Sequence, residues 1–315
     1  MKRLKRAGGS RPFFVGGGST GRLVTRTKLG RLYRADSVGW MASLSAGRAR
    51  LIVADPPYSL GKADWDSFPS RRDYLEWTKE WVRQAHRLLT ADGTLYICGY
   101  PEPLAQVAAE VAPLFASYRC LVWFHRNKAS LADDWGRSHE GVLHLRKGRS
   151  MVFNTDQVRI PYNAHTLRYP EHPQAVTSQL GAGKRRARPW VPHPRGARPR
   201  DVLEVPTLCN GSAEKTFHPT QKPEEVIRRL VLASSHPGDL VIDPFGGSGT
   251  TYAVCEATER RWLGCERDAS FCRLIASRLA SPSLFRARQA AESEQRRGER
   301  RDRLRERAGD RGHGA

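Results

Sequence analysis

Three short stretches of this sequence carry residues able to do chemistry, and two of them interrupt apolar runs. In VADPPYSL (53–60) the run LIVA stops at Asp55, Pro56, Pro57 and Tyr58. In LVIDPFGGSGTT (240–251) a similar run stops at Asp243 and passes through Phe245 into Gly246, Gly247, Ser248 and Gly249. In HPTQKP (218–223) Thr220 and Lys222 stand between two prolines. An aspartate at a strand's carboxyl end faces the crevice where open α/β sheets bind ligands. Two prolines fix the backbone and remove N–H donors, which leaves carbonyls free to accept. Tyr58 adds a flat face for stacking. An acidic acceptor, a free carbonyl and an aromatic plate together suit an exocyclic amine on a planar base. Such an amine is a poor nucleophile because its lone pair is delocalised into the ring. Accepting hydrogen bonds from both N–H groups draws the nitrogen towards tetrahedral geometry. Taken alone, D-P-P-Y also fits an ordinary stiff turn.

The glycine stretch has the geometry of a nucleotide-type cofactor site: strand, glycine loop, helix. Glycines let the backbone approach a ligand, and a helix N-terminus favours a carboxylate or phosphate. Glu266 follows Asp243 by 23 residues, at the end of the next apolar run, where an acid can bind ribose hydroxyls. The sequence holds no G-x-x-x-x-G-K-[ST], and Gly246, Gly247 and Gly249 do not give G-x-G-x-x-G. Spacing alone leaves a nucleoside-type cofactor or a tight strand–helix turn.

The elements that must position these stretches are legible as alternating strands and helices. Strands are expected at 31–36, 50–54, 94–99, 120–125, 141–145, 239–243 and 262–266. Between Asp73 and Leu89 apolar residues recur at helical spacing. Further helices are expected at 103–115, 222–235, 251–258 and 269–280, with Pro223 in the first turn of the second of these. Such alternation means a doubly wound, mostly parallel α/β sheet. Residues 155–205 lose periodicity and become rich in Pro, Arg and His.

Composition narrows the partners. Among 315 residues, 53 Lys and Arg face 32 Asp and Glu, a formal charge of +21, whose usual counterparts are nucleic acids or anionic membranes. Residues 1–35 carry ten Lys/Arg and no acid, and 184–200 carry seven and no acid, with Trp190 among them. Cations beside an aromatic suit phosphates and bases together. No apolar run approaches the roughly 20 residues that span a bilayer. MKRLKRAGGSRPFF is followed by no apolar segment of a secretory signal, and the six cysteines are scattered. A cytoplasmic protein with reduced thiols and no structural metal is expected.

DPPY at 55–58, HPTQKP at 218–223 and DPFGGSGTT at 243–251 together resemble the amino-methylating DNA methyltransferases that use S-adenosylmethionine. DPPY stands before the glycine loop, as in the β-group of that family, and the resemblance covers about 31–150 and 203–282. It implies a Rossmann-like methyltransferase fold with a seven-stranded, mostly parallel sheet and circularly permuted motifs, so that the strand at 31–36 lies beside that at 262–266. It implies a basic flexible arm at 1–30, a catalytic domain at 31–154 and 203–282, an insert at 155–202 that reads DNA, and a charged tail at 283–315. Asp55 and the Pro56 carbonyl would hold the target amine, with Pro57 stiffening the corner and Tyr58 stacking on a base flipped from the duplex. Phe245, Gly246, Gly247, Ser248 and Gly249 would line the cofactor's methionine end, with Asp243 near its amino group. Thr220 and Lys222 would sit near its carboxylate, Glu266 on its ribose and Asp36 by its adenine. For Lys222 an exposed helix-start lysine, and for Asp36 a plain strand-end acid, stay open.

In the insert, Arg185, Arg186, Arg188, Trp190 and Arg195 are candidates for phosphate and groove contacts, against a basic linker. Trp65 in ADWDSF is a wall of the substrate crevice or a core residue. Arg137, His139 and Glu140 (RSHEG), ahead of a strand, contact phosphate or hold the corner by hydrogen bonds. The expected activity is methyl transfer to adenine N6 in double-stranded DNA by direct displacement. The rivals are cytosine N4 and a non-catalytic DNA-binding subunit of the same fold. A ring-carbon cytosine methylase needs a cysteine nucleophile, typically after proline, and no Pro-Cys occurs. Double-stranded DNA is the expected partner, with a cognate restriction endonuclease as a candidate second one and a monomer or homodimer as the assembly.

Overall fold

The computed structural model describes residues 21–129, 133–170 and 191–280. Its first half contains β1 (Arg22–Arg26), β2 (Gly30–Arg34), α1 (Ser37–Ser43), β3 (Ala49–Ala54), α2 (Arg71–Leu88), β4 (Leu89–Gly99), α3 (Pro101–Val111) and β5 (Ser117–Ala129). The second half contains β6 (Arg137–Arg146), α4 (Ala164–Arg168), β7 (Val202–Glu204), α5 (Glu224–Ser234), β8 (Leu240–Asp243), α6 (Thr250–Ala257), β9 (Arg261–Glu266) and α7 (Ala269–Ala280). Every strand and helix expected from periodicity is present.

The core follows from the apolar runs. Leu51, Ile52, Val53 and Ala54 are all buried, because successive residues of β3 point to opposite faces and both faces are covered. Ile52 and Ala54 pack with Trp40 of α1 and with Trp81 and Leu88 of α2. Leu51 and Val53 pack on the other side with Val226 and Leu230 of α5 and Ile275 of α7. Each fully buried aliphatic side chain contributes about 1.5–3 kcal/mol. Helix α2 starts three residues before its first apolar position, Tyr74, because Ser70 Oγ accepts the Asp73 amide at 3.2 Å while Asp73 accepts the Ser70 hydroxyl at 2.6 Å.

One sheet of nine strands runs β1-β2-β9-β8-β3-β4-β6-β5-β7. The sequence predicts seven. The two others are edge strands with weak signals: β1 (RLVTR) is framed by exposed arginines at one edge, and β7 has three residues at the other. Residues 22–26, expected in the flexible arm, therefore belong to the sheet. β2, β9, β8, β3 and β4 pair in parallel, whereas β1, β6 and β5 introduce antiparallel neighbours. Arg34 lies opposite Glu266, so an early strand and the last strand of the domain pair in the sheet. Strand β6 begins at Arg137, which makes RSHE part of the strand rather than its approach. The insert is anchored where it leaves the domain: Asn154 donates from its side chain to the carbonyls of Leu232 and Ser235 at the end of α5. Among the described residues no helix is long and apolar enough to cross a membrane.

Gly264 in β9 is where the sheet meets α6 most closely. A Cβ there would lie 2.3 Å from the Tyr252 ring, which stacks on Trp262 at 4.7 Å and donates its hydroxyl to the Asp243 carbonyl at 3.0 Å. Gly264→Ala is expected to cost about 1–3 kcal/mol through overpacking, read as a lowered thermal midpoint. An unchanged midpoint would show that the ring is not wedged against β9.

Candidate active site

Parallel pairing brings the carboxyl ends of β2, β9, β8 and β3 to one edge of the sheet, and each ends at or just before an acid. These are Asp36, Glu266, Asp243 and Asp55. A cavity of about 960 Å³ opens there, large enough for both a cofactor and a substrate group. Asp55, Pro56, Pro57 and Tyr58 line it, as do Asp36, Thr220 and Lys222. So do Asp243, Phe245, Gly246, Gly247, Ser248 and Glu266. Gly249 stands behind the wall, where its left-handed backbone (φ 75°) caps α6 without a side chain to clash with Ile275.

The DPPY corner is held by charge. Asp55 Oδ1 accepts the Tyr58 hydroxyl at 2.5 Å, and Oδ2 accepts Lys222 Nζ at 2.9 Å. Lys222 also lies 3.4 Å from Glu140 and is 6% exposed, so it is neither the exposed helix-start lysine nor a residue without a partner. Burial alone would depress its pKa, but Asp55 and Glu140 outweigh burial and hold it above the ordinary lysine value. The ammonium also sits 5.3 Å from the Tyr58 ring. Tyr58 packs against Tyr100 at 5.5 Å; burial and then Asp55 push its hydroxyl pKa well up, so it stays a donor. Arg137 stacks 4.4 Å over Tyr100 and forms a bidentate pair with Glu102 at 3.1 Å, which answers its expected role with structure-holding bonds. Cys98 of β4 lies behind the corner, a neighbour the linear sequence hides. Burial and the Asp55 carboxylate push its thiol well up, so it offers no thiolate.

Asp66 is the residue that sequence reasoning missed. It is buried in the ADWDSF stretch and accepts four backbone amides of the loop after DPPY. Oδ1 takes those of Tyr58 at 2.6 Å and Ser59 at 2.8 Å; Oδ2 takes those of Leu60 at 3.0 Å and Lys62 at 3.3 Å. The only sequence signal was an acid nine residues past Pro57 and five past Gly61. Neighbouring Trp65 stacks on His218 at 6.5 Å and lines the cavity, so it is a wall rather than core. In HPTQKP, Gln221 folds the loop on itself: its carbonyl accepts the Thr216 amide and hydroxyl, both at 2.8 Å.

The other half of the cavity fits the cofactor that the resemblance implies. Asp243 is buried, accepts the Phe245 amide at 2.9 Å, and pairs with no cation among the described residues. Burial, with Asp55 and Glu266 adding, pushes its pKa up to about 8. A bound ammonium would relieve that cost. Glu266 accepts the Gly247 amide at 2.8 Å and the Asp268 amide at 2.7 Å, so in this structure it shapes the glycine loop. Phe245 packs on Trp77 and Trp81. Asp36 caps α1 through the Val38 and Gly39 amides while facing the cavity. Of the DNA candidates, Arg195 pairs with Asp156 on the exposed surface. Arg185, Arg186, Arg188 and Trp190 lie outside the described residues.

The family model described as DNA methylase (N6/N4) matches residues 49–277. The type II methyltransferase M1.MboII of Moraxella bovis is 32% identical over 253 residues, 78% of this chain and 94% of that protein. The DNA adenine methyltransferase YhdJ of Escherichia coli is 30% identical over 271 residues, 84% of this chain and 87% of that one. In fold, the chain is similar to the PvuII DNA methyltransferase (cytosine-N4-specific), with a TM-score of 0.61 at 16% identity over 81% of this chain and 88% of that one. It is also similar to the M1.HpyAVI–SAM complex, with a TM-score of 0.53 at 21% identity over 80% and 99%.

Two outcomes test the geometry. An unfolded aspartate titrates near 3.9 and Asp243 near 8, so its burial destabilises the fold progressively as pH rises between those values and not below them. Asp243→Asn is therefore expected to gain in thermal midpoint over the wild type from pH 5 to pH 8; a flat difference would mean that the carboxyl is ionised throughout. Asp66→Ala is expected to free the loop, so that trypsin cuts after Lys62 at least about ten-fold faster, while the rest of the chain resists as before. Unchanged protection of Lys62 would remove Asp66 as the clamp.

Proposed function

The chain belongs to the N6/N4 family of DNA methylases, and from that footing we propose that it methylates adenine N6 at a specific site in double-stranded DNA. S-adenosylmethionine is its cofactor and supplies the methyl group when bound. Asp243, the glycine loop and Glu266 would hold it, with Phe245, Thr220 and Asp36 on the same wall. Asp55 and the Pro56 carbonyl accept the two hydrogens of the target amine, and Tyr58 stacks on the base. Lys222 and the Tyr58 hydroxyl each fix one oxygen of Asp55, so the acceptor needs no reorganisation when the amine arrives. A base inside a duplex cannot reach a recessed corner, so the target leaves the stack. The basic segments, Arg185, Arg186, Arg188, Trp190 and Arg195 among them, would meet the phosphates. A cognate endonuclease would read the same site.

The observation that carries the adenine reading is Asp55 itself, a carboxylate heading the DPPY corner as in the adenine members that the sequence resembles. The E. coli relative is named for the same base. Adenine and cytosine present the same amine chemistry, so cytosine N4 is the rival. The test is transfer of labelled methyl to duplex DNA followed by nucleoside separation. Label is expected in N6-methyladenine; label in N4-methylcytosine would replace the adenine reading. Asp55→Ala is expected to reduce turnover by at least about 100-fold with cofactor binding near normal, and retained turnover would remove Asp55 from the mechanism.

A further inference from the structure

Glu140 has no part in the chemistry set out above, yet it closes a ring of charge around the amine corner. Its Oε2 lies 3.4 Å from Lys222 Nζ and 3.4 Å from the Tyr58 hydroxyl. Lys222 and Tyr58 each contact Asp55, at 2.9 and 2.5 Å. The Asp55, Glu140 and Lys222 side chains are 25%, 15% and 6% exposed. Two carboxylates therefore share one buried ammonium, and the cluster holds a single excess negative charge. The two cations at Tyr100 are engaged elsewhere: Arg137 pairs with Glu102, and Lys62 donates to the Tyr100 hydroxyl at 2.8 Å. Register seats Glu140 there, since β6 sets it opposite Trp123 and sets the next residue, Gly141, opposite Gly99.

We infer that Glu140 is a positioning residue that takes up the charge of Lys222 and so leaves Asp55 electrostatically available to the target amine. The inference rests on amine methylation as the reaction. When the nitrogen lone pair forms the new N–C bond, the electrons of the broken C–S bond stay with sulfur. The nitrogen is then cationic until one of its protons leaves to Asp55. A corner with one excess negative charge stabilises that cation. A neutral Asp55–Lys222 pair would not, and in a crevice of low dielectric the difference is large. Lys222 is needed as well. Without it two adjacent carboxylates would repel, and one would take up a proton and cease to accept.

The test is a charge-balanced cycle on the full chain: wild type, Glu140→Gln, Lys222→Met and the double variant. Glu140→Gln keeps the shape and is expected to lower kcat about 100-fold, with KM for DNA and cofactor binding changed less than about three-fold. The double variant again carries one carboxylate and no ammonium, and its kcat is expected to recover at least about ten-fold over Glu140→Gln. Thermal unfolding of the same four proteins reads the cluster without any substrate, and the double variant is expected to lose less than the sum of the single losses. Additive losses would show that the pair is not formed. Wild-type kcat in Glu140→Gln, or a double variant no faster than it, would overturn the electrostatic role. A wild type that transfers no methyl to DNA rejects the function proposed above instead, and the unfolding cycle still decides whether Glu140 and Lys222 are paired.

Discussion

A buried ammonium is tolerated only where carboxylates surround it, because its desolvation costs several kcal/mol that only close, hydrogen-bonded partners offset. Lys222 is that ammonium, and the active edge is organised around it. Its partner Asp55 lies 167 residues away in the chain and ends β3. Glu140 comes from β6, two strands along in the sheet. Bringing these groups together requires the turn at DPPY, the folded HPTQKP loop and the antiparallel placement of β6 beside β4. The Thr250 hydroxyl, which donates to the Lys222 carbonyl at 3.2 Å, also joins this junction to the start of α6.

Asp243 shows the opposite solution on the neighbouring strand. It is as buried as Lys222, but no cation of the described residues answers it, and it responds by holding its proton. Asp55 and Asp243 thus sit side by side on one edge with different partners: Asp55 is paired with Lys222, and Asp243 meets no cation among the described residues. In the function proposed above, that asymmetry would divide the cavity into a half for the substrate amine and a half for the cofactor. Arg278 of α7 stiffens the second half by donating to the Ser248 carbonyl at 2.9 Å and pairing with Glu224 at 2.5 Å.

Most of the fold was legible because central strands and amphipathic helices carry their periodicity in apolar residues. The edge strand at 22–26 was not, because a five-residue strand framed by exposed arginines looks like any basic segment. For the site, DPPY and the glycine loop were legible because prolines, glycines and acids at strand ends are local signals. The pairing of Lys222 with Asp55 has no local signal, because the two residues meet only through the long-range fold. Asp66 was invisible for a related reason: its task is to accept backbone amides, and amides have no letter in a sequence. Cys98 likewise reads as one apolar residue in TLYICG, and only the sheet brings it behind the corner.

The sheet also explains why the order of motifs along the chain imposes no chemical constraint. What the reaction needs is a row of strand ends, and parallel pairing supplies that row whichever strand comes first. β2 lies beside β9 with Arg34 opposite Glu266, so Asp36 from the beginning of the domain and Glu266 from its end face one cavity. Moving the DPPY segment ahead of the glycine loop alters the connections on the far side of the sheet and leaves the row intact. The connections then become the free variable, and the long insert between β6 and α5 occupies one of them. It leaves the domain at Asn154, bound to the end of α5, so its length can vary without moving Lys222, whose position is set by Asp55 and Glu140.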